Sequence, residues 1–265
     1  MAATKIVISN EMKAVVAETL KAEYDAAFVE KPCSVHFQET IYSRYIKRAL
    51  DILISFPIVV LTAPINLIIG TVTFFDVGRP IFFRQRRAGK NGKVFEIVKF
   101  RNMTEATDER GVLLLPSERV TKWGRIMRKT SLDELLNFWS ILKGDMSLIG
   151  PRPLPDSYLS RYNERHKKRL CVRPGLECPP RDGKGFDGSW EKRFENDIWY
   201  VENISFGTDV YLFLRLIQFA VNRKASSDRG IANGSSFIGY NREGKAIGLD
   251  DLSQEYVDHA LQRCQ

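Results

Sequence analysis

An adjacent pair of acidic residues, Asp133 and Glu134, is the part of the sequence best suited to chemistry. Ser131 stands before the pair in the position of a helix N-cap, and Glu134 is spaced to complete a capping box with it. Apolar residues then recur at helical spacing, and Lys143 with Gly144 is a typical helix end. These apolar residues are Leu132, Leu135, Leu136, Trp139 and Leu142. The sequence therefore predicts one helix that begins at the Ser131 cap and carries both carboxylates in its first turn.

The residues alone leave two interpretations of this pair open. Acidic side chains in a first turn stabilise a helix by about 0.3–1 kcal/mol each, and Glu134 could act only as a cap. Alternatively, carboxylates about 100° apart on a helix could divide two tasks, in which one attacks phosphorus and the other binds a hard cation. A helix N-terminus suits phosphate, and Arg128 with Lys129 adds positive charge just upstream. Asp133 is expected to be ionised and exposed to a phosphate there.

The composition is that of a globular protein with an anionic partner. The chain has 265 residues, 44% of them hydrophobic and 27% charged, which is enough for one sizeable domain with appendages. A net charge of +8 favours an anionic binding partner, which could be nucleic acid, an acidic membrane surface or a phosphorylated substrate. The four cysteines and three histidines form no CxxC or zinc pattern, and no signal peptide is expected, so a reducing cytoplasmic side is predicted. They are Cys33, Cys171, Cys178, Cys264, His36, His166 and His259.

A long apolar segment runs from Ile52 to Phe75 without a charged residue. As a straight helix it would measure about 36 Å, which is enough to cross a bilayer. Pro57 and Pro64 each remove a backbone donor and free a carbonyl one turn earlier. Nearby Thr62 and Asn66 are expected to help satisfy those carbonyls. The segment could therefore span the membrane once or break within it.

Positive charge on both sides of this segment bears on that choice. Its flanking basic residues are Arg44, Lys47 and Arg48 before it, and Arg79, Arg84, Arg86, Arg87 and Lys90 after it. Because positive residues favour the cytoplasmic side, both ends are expected there. This favours a helix that breaks at Ala63-Pro64 and returns to the same face, although the residues alone leave a single span equally open.

Other segments are expected to form the body of the protein. Asn91-Gly92 lies between two β-rich runs within residues 81–100 and predicts an antiparallel hairpin. Its basic residues could line a phosphate site or be solvated charges of an edge strand. Residues 104–118 are expected to be a polar surface loop, followed by a helix that carries Trp123.

Both ends of the chain are expected to be peripheral. Residues 10–28 predict a weakly amphipathic helix in a solvated extension, and the tail after residue 225 is expected to be the least ordered part. The Gly- and Pro-rich loop over 171–188 is long for a connection and is expected to cover a site. The helix over 210–221 is apolar enough to lie in a membrane interface or to pack in a core. Further helices are predicted over 156–170, 190–201 and 251–262.

Seven motifs, in order between residues 42 and 224, resemble one family closely: the monotopic phosphoglycosyl transferases, also called bacterial sugar transferases. The motifs are Lys47-Arg48 with Asp51; Phe83-Arg-Gln-Arg with Gly89 and Gly92; Lys99-Phe-Arg; Arg128-Lys-Thr-Ser-Leu-Asp-Glu134; Lys143 through Pro153; Val172-Arg-Pro-Gly175; and Asp197 through Asn203. The resemblance implies an α+β, mostly helical monotopic membrane protein. It would have a re-entrant broken helix, a small antiparallel hairpin and amphipathic interfacial helices.

The resemblance also implies a domain layout and a location. Residues 1–40 would be an N-terminal extension, 41–76 the re-entrant membrane helix, 77–224 a cytosolic catalytic domain and 225–265 a C-terminal tail. The protein would lie on the cytoplasmic face of the bacterial inner membrane. The resemblance leaves open whether the chain forms a homo-oligomer.

The activity implied by the resemblance is transfer of a sugar 1-phosphate from a UDP-sugar to polyprenyl phosphate, the first membrane step of glycoconjugate assembly. Asp133 would be the nucleophile that holds the phosphosugar covalently, and Glu134 would bind Mg²⁺. Lys99 and Arg128 would lie beside the phosphates. The implied substrate-binding residues are Pro151, Arg152, Pro153 and Arg173.

Two departures from the family pattern define the alternatives. The family usually has Ser-Pro where this chain has Ala63-Pro64. It also has an arginine where this chain has Gly185, and Arg181 or Lys184 could replace the positive charge of that arginine. The divergent loop 176–185 therefore also allows a non-catalytic membrane-anchored scaffold or lipid-phosphate-binding protein of the same fold. A basic nucleic-acid-binding protein is disfavoured because no nucleic-acid-binding module is recognisable in the sequence.

Overall fold

The computed structural model of the protein describes residues 10–28, 34–109, 111, 113–183, 186–221 and 236–263. The helices are α1 (Asn10–Ala27), α2 (Lys47–Val77), α3 (Pro116–Arg119), α4 (Lys122–Thr130), α5 (Asn137–Lys143), α6 (Glu164–Lys167), α7 (Trp190–Glu202), α8 (Phe206–Val221) and α9 (Gln254–Arg263). The strands are β1 (Phe82–Ala88), β2 (Val94–Phe100), β3 (Ser147–Ile149), β4 (Gly175–Glu177), β5 (Phe237–Tyr240) and β6 (Ala246–Gly248). The predicted helix-rich α+β character is confirmed.

The chain divides into two compact units. One, here called the hairpin unit, comprises residues 39–153 and 173–176. The other, here called the terminal unit, comprises residues 1–38, 154–172 and 177–265. The strands pair as β1 with β2, β3 with β4, and β5 with β6.

Helix α2 dominates the hairpin unit and follows a π-helical turn over Tyr42–Ile46. Within the described residues it is the one helix long and apolar enough to cross a membrane. Most of its apolar side chains project away from the protein, with Leu61, Leu67 and Phe75 each more than 70% exposed. An apolar surface of this extent is unfavourable in water and suits contact with lipid.

The helical backbone of α2 continues through Ala63 and Pro64, so no non-helical residue separates two helices there, and the predicted break stays a prediction. Thr62 Oγ1 donates to the carbonyl of Ile58 at 2.7 Å, and Asn66 Nδ2 approaches Thr62 Oγ1 at 3.5 Å. These side chains do not reach the carbonyls that the prolines free, because a threonine hydroxyl bonds most readily one turn back in its own helix. Whether the helix spans or re-enters the membrane stays a prediction.

The β1–β2 hairpin confirms the Asn-Gly prediction. Its antiparallel register runs from Phe82 opposite Phe100 to Ala88 opposite Val94. In the turn, Asn91 and Gly92 both have the positive φ angles that this residue pair favours. The end of β2 is anchored because Phe100 is buried with Ile69 of α2 and Met127 of α4.

The segment around the acidic pair differs from the predicted capped helix. Ser131 has φ 57° and ends α4, its N–H bonding the carbonyl of Met127, and its side chain caps no helix. A 3-10 turn over Leu132–Glu134 follows, and α5 begins only at Asn137. The prediction failed because α4 extends to Thr130, which makes Ser131 the end of one helix rather than the start of the next. The predicted helix end at Lys143 and Gly144 is confirmed.

In the terminal unit, α1 packs against β5 and α9. Val16 and Leu20 of α1 are 1% exposed and meet the fully buried Ile238. The prediction of a solvated N-terminal helix is therefore wrong, as is that of a poorly ordered tail for its described residues 236–263. Residues 225–235 lie outside the described part. Both errors have one cause: each segment buries its apolar side chains against the other, far away in sequence.

The single helix predicted over residues 156–170 is also wrong. The chain forms 3-10 turns over Asp156–Arg161 and Lys168–Cys171, with α6 between them. Tyr162 has an extended backbone, and Asn163 Oδ1 caps α6 by accepting from the N–H of His166 at 2.7 Å. Helices α7 and α8 confirm the two predicted helices that follow.

Candidate active site

The predicted acidic pair lies inside the hairpin unit, where the end of β2 and the segment after β3 meet the turn over residues 132–134. Lys99 Nζ lies 2.6 Å from Glu134 Oε1. Arg152 Nη2 lies 2.8 Å from the same oxygen. Two predicted site residues from distant parts of the chain are thus brought onto one carboxylate.

These two cations set the protonation of Glu134. Burial alone would raise the pKa of this carboxyl, but the charges of Arg152 and Lys99 and their hydrogen bonds outweigh it and lower the pKa to about 2. Glu134 is therefore ionised at neutral pH. The predicted capping box is absent because this carboxylate binds side chains rather than the backbone N–H of Ser131.

Asp133 has a different environment from its neighbour. Its side chain accepts a hydrogen bond at Oδ2 from Asn102 Nδ2 at 3.4 Å, and Asn102 Oδ1 in turn accepts from Arg128 Nη2 at 3.0 Å. Asp133 is 8% exposed and is therefore nearly buried, and its exposure to a substrate phosphate stays a prediction. Burial raises the pKa of its carboxyl, while the positive charges of Lys99 and Arg128 act in the opposite direction.

The predicted substrate-binding turn Pro151-Arg152-Pro153 is held by backbone contacts. The N–H of Gly175 donates to the Pro151 carbonyl at 3.0 Å, and Arg152 Nη1 donates to the Leu176 carbonyl at 2.9 Å. The backbones approach so closely that a Cβ on Gly175 would lie 2.2 Å from the nitrogen of Gly150. This packing orients the Arg152 side chain toward Glu134.

Arg173, also predicted to bind substrate, is placed elsewhere in the hairpin unit. Its Nε donates to the carbonyl of Gly144 at 3.2 Å, just after α5. Arg48 of α2 donates to the carbonyls of Ile141 and Leu142 at 2.6 and 2.8 Å. Both arginines satisfy carbonyls at the end of α5, and Arg48 also joins that end to α2. Among the described contacts, none joins Arg173 to the acidic pair.

Asn102 is a site residue that the sequence analysis missed. It follows Lys99 by three positions, so the end of one strand supplies a partner to each carboxylate: Lys99 to Glu134 and Asn102 to Asp133. A polar residue shortly after a basic residue at a strand end was the only signal available. The contact itself depends on how α4 packs on this segment.

The arrangement suits a phosphorylated ligand together with a hard cation. The cations Lys99, Arg128 and Arg152 surround the two carboxylates and leave the cluster net positive. Both hydrogen bonds of Glu134 go to Oε1, so its ionised group has Oε2 to offer as a ligand. Mg²⁺ is commonly held by one or two carboxylates plus substrate phosphates, and this donor set fits it.

The divergent loop after residue 176 lies in the terminal unit as far as Gly183, and residues 184 and 185 fall outside the described part. Asn196 of α7 holds the loop: its Nδ2 donates to the carbonyls of Cys178 and Pro179, and its Oδ1 accepts from the N–H of Arg181 at 3.0 Å. Beside it is an open pocket of about 560 Å³. It is lined by Arg181, Asp182, Trp199, Gly207, Thr208 and Tyr211. The prediction that this loop covers a donor site stays a prediction.

The sequence is similar to those of several known proteins. An uncharacterised sugar transferase of Bacillus subtilis, EpsL, is 41% identical over 70% of this chain and 90% of its own length. The UDP-N-acetylgalactosamine-undecaprenyl-phosphate N-acetylgalactosaminephosphotransferase of Aeromonas hydrophila is 32% identical, over 66% of this chain and 43% of its own. The UDP-glucose:undecaprenyl-phosphate glucose-1-phosphate transferase of Klebsiella pneumoniae is 35% identical, over 68% of this chain and 41% of its own length.

The chain thus spans less than half the length of the latter two relatives. The family model described as bacterial sugar transferase matches residues 42–223, a range that contains the acidic pair and all of its cationic partners. The chain belongs to the bacterial sugar transferase family.

Proposed function

We propose that this protein transfers a sugar 1-phosphate from a UDP-sugar to polyprenyl phosphate, such as undecaprenyl phosphate, as the first membrane step of glycoconjugate assembly. The names of the relatives support the donor and acceptor classes. The observation that carries the proposal is the pairing of a nearly buried Asp133 with a Glu134 held by Lys99 and Arg152. A carboxylate can act as a nucleophile, and cations beside it favour a bound diphosphate, so these groups support attack on a diphosphate.

In the proposed reaction, the Asp133 carboxylate attacks the β-phosphorus of the donor. A bond forms between its oxygen and phosphorus, the bond from that phosphorus to the bridging oxygen breaks, and uridine monophosphate leaves with the electron pair. An oxygen of the lipid phosphate then attacks the same phosphorus, and the electron pair of the Asp133–phosphorus bond returns to the carboxylate. The product is a polyprenyl diphosphate sugar, and the enzyme is regenerated.

The surroundings of Asp133 support this role. A carboxylate with little hydration is a better nucleophile than a fully solvated one, while Lys99 and Arg128 favour its ionised form. Arg128 and Arg152 would orient the donor phosphates. Glu134 would hold Mg²⁺, which would supply positive charge for the diphosphate and reduce its repulsion from the nucleophile.

The proposed location is the cytoplasmic face of the bacterial inner membrane. Helix α2 supplies an apolar surface for lipid, and α8 separately exposes Phe206 and Leu214 by about 60% each. We propose a re-entrant course for α2 because basic residues flank both of its ends. Single cysteines at positions 40 and 80, in a cysteine-free chain, should both label from the cytoplasmic side; labelling of one from the outside would establish a span.

The mechanism is tested by incubating the purified protein with donor labelled in the sugar and without lipid acceptor. Wild type should retain sugar label and release uridine monophosphate, and Asp133→Asn should do neither while still inserting into membranes. Full activity in Asp133→Asn, or turnover by a wild type that never carries label, would replace the covalent route with direct transfer. Absence of turnover across a donor panel would instead support the non-catalytic scaffold.

A further inference from the structure

The side chain of Asn102 lies between two members of the active site, although it is not itself charged. Its Oδ1 is 3.0 Å from Arg128 Nη2, and its Nδ2 is 3.4 Å from Asp133 Oδ2. The guanidinium can only donate hydrogen bonds and an ionised carboxylate can only accept them. The amide is therefore oriented by its neighbours, with its oxygen toward Arg128 and its NH₂ toward Asp133.

The backbone around Asn102 is fixed on both sides. A Cβ on Gly124 of α4 would lie 2.1 Å from the carbonyl oxygen of Asn102, so only a glycine permits this approach. Before it, Arg101 bonds through its N–H to the Ile81 carbonyl at 2.9 Å and through Nη2 to the Val77 carbonyl at 2.6 Å. After it, Met103 bridges to Val120. The amide is thus presented by a rigid segment.

We propose that Asn102 is a positioning residue that joins Arg128 to Asp133 and, by donating to Oδ2, fixes the orientation in which the carboxylate attacks phosphorus. This inference rests on the function proposed above. Before attack, a hydrogen-bond donor at Oδ2 fixes the orientation of the carboxylate. In the second step, when the lipid phosphate displaces Asp133, the same donor stabilises the negative charge that returns to the carboxylate. Asn102 therefore affects both half-reactions.

The size of the effect follows from the type of hydrogen bond. Loss of a hydrogen bond to a charged group typically changes a rate by about ten- to a hundred-fold. Asn102→Ala should lower kcat by this amount. KM for the donor should change less, because Arg152 and Lys99 remain in place.

Comparison of kcat with KM separates positioning from a general structural role. The charged groups that face Asp133 are Lys99 of β2, Arg128 of α4 and the adjacent Glu134. All of them remain in Asn102→Ala, so kcat should fall while KM for the donor stays close to that of wild type. Asn102→Asp keeps the size of the side chain but lacks the NH₂ donor and adds a negative charge beside Asp133, so its kcat should fall further.

The experiment measures the burst of uridine monophosphate without acceptor, and steady-state turnover with polyprenyl phosphate, for the full chain in lipid nanodiscs. Gln254→Ala is the control, because Gln254 is exposed, lies outside the range matched by the family model, and its Nε2 bonds Asp258 one turn along in α9. The control should keep wild-type kcat and KM. If Asn102→Ala does not fold, the near-isosteric Asn102→Asp supplies the same comparison of kcat with KM.

The outcomes are distinct. A burst and a kcat equal to those of wild type in both Asn102 variants, or a KM that rises as much as kcat falls, would overturn the positioning role and leave the proposed function standing. A wild type that turns over without a covalent adduct would overturn the proposed mechanism and this inference with it. A ten-fold or larger loss of kcat with a smaller change in KM would support the inference.

Discussion

Replacement of Glu134 by Gln removes one negative charge from between Lys99 and Arg152 and leaves the size of the side chain almost unchanged. In the folded protein the pKa of Glu134 falls from 4.5 to about 2. Each pKa unit corresponds to about 1.36 kcal/mol, so the ionised form contributes about 3 kcal/mol to folding at neutral pH. The side chain is 27% exposed, so most of this value should survive solvent screening.

The pH dependence has a definite sign. Because the pKa is lowered on folding, the stabilisation is fully present above pH 4.5 and is lost as the pH falls through about 2. Glu134→Gln should therefore lower the free energy of unfolding most at pH 7. The difference from wild type should shrink to less than half by about pH 3. Unfolding in detergent, followed by tryptophan fluorescence at both pH values, measures this difference.

Glu96→Gln is a suitable control because it makes the same change on the neighbouring strand. Glu96 Oε2 lies 3.4 Å from Arg84, but both side chains are more than half exposed. An exposed pair of this kind contributes about 0–1 kcal/mol. Equal stabilities of the two variants at pH 7 would refute the account of Glu134 as a carboxylate bound by two cations. If Glu134 also binds Mg²⁺, only its variant should require more Mg²⁺ for half-maximal turnover.

Two further predictions concern packing. Gly175→Ala should destabilise the protein and lower turnover at least ten-fold, because its Cβ would meet the backbone of Gly150 and displace Arg152. Gly207→Ala is the control: a Cβ there would have no atom within 4 Å, so stability and turnover should both stay close to wild type. Arg169 bonds Asp197 at 2.9 and 2.7 Å, and both side chains are 3% exposed or less. Arg169→Leu should cost about 3–5 kcal/mol in thermal unfolding by leaving Asp197 unpaired, and adding Asp197→Leu should recover stability rather than lose more.

Elements fixed by local pattern were predictable from the sequence. The hairpin follows from Asn91-Gly92 and its β-rich flanks, and α2 follows from a run of apolar residues without charge. Helices α7 and α8 follow from their periodicity. In each case the residues that determine the element lie within it, so no knowledge of distant contacts is required.

The failed predictions depend on contacts between segments far apart in sequence. Ser131 is suited to start a helix, but α4 extends to it and uses it as a left-handed end. Helix α1 is only weakly amphipathic, and its partner Ile238 lies beyond two hundred intervening residues. Asn102 carries no charge, and its role arises only because Gly124 lets α4 approach. A single sequence contains these residues but not the packing that relates them.

The different surroundings of the two adjacent carboxylates also bear on which one attacks phosphorus. Glu134 is bound by two cations at one oxygen and has a lowered pKa. A carboxylate that is stabilised in this way is a weak nucleophile. Asp133 has a raised pKa because of burial, and its hydrogen bonds come from neutral groups, the Asn102 amide and its own backbone N–H. Environments that push the pKa values of neighbouring acids apart commonly assign them different tasks. This contrast favours Asp133 as the nucleophile and Glu134 as the cation ligand, a division that the adjacent residues in the sequence could not by themselves decide.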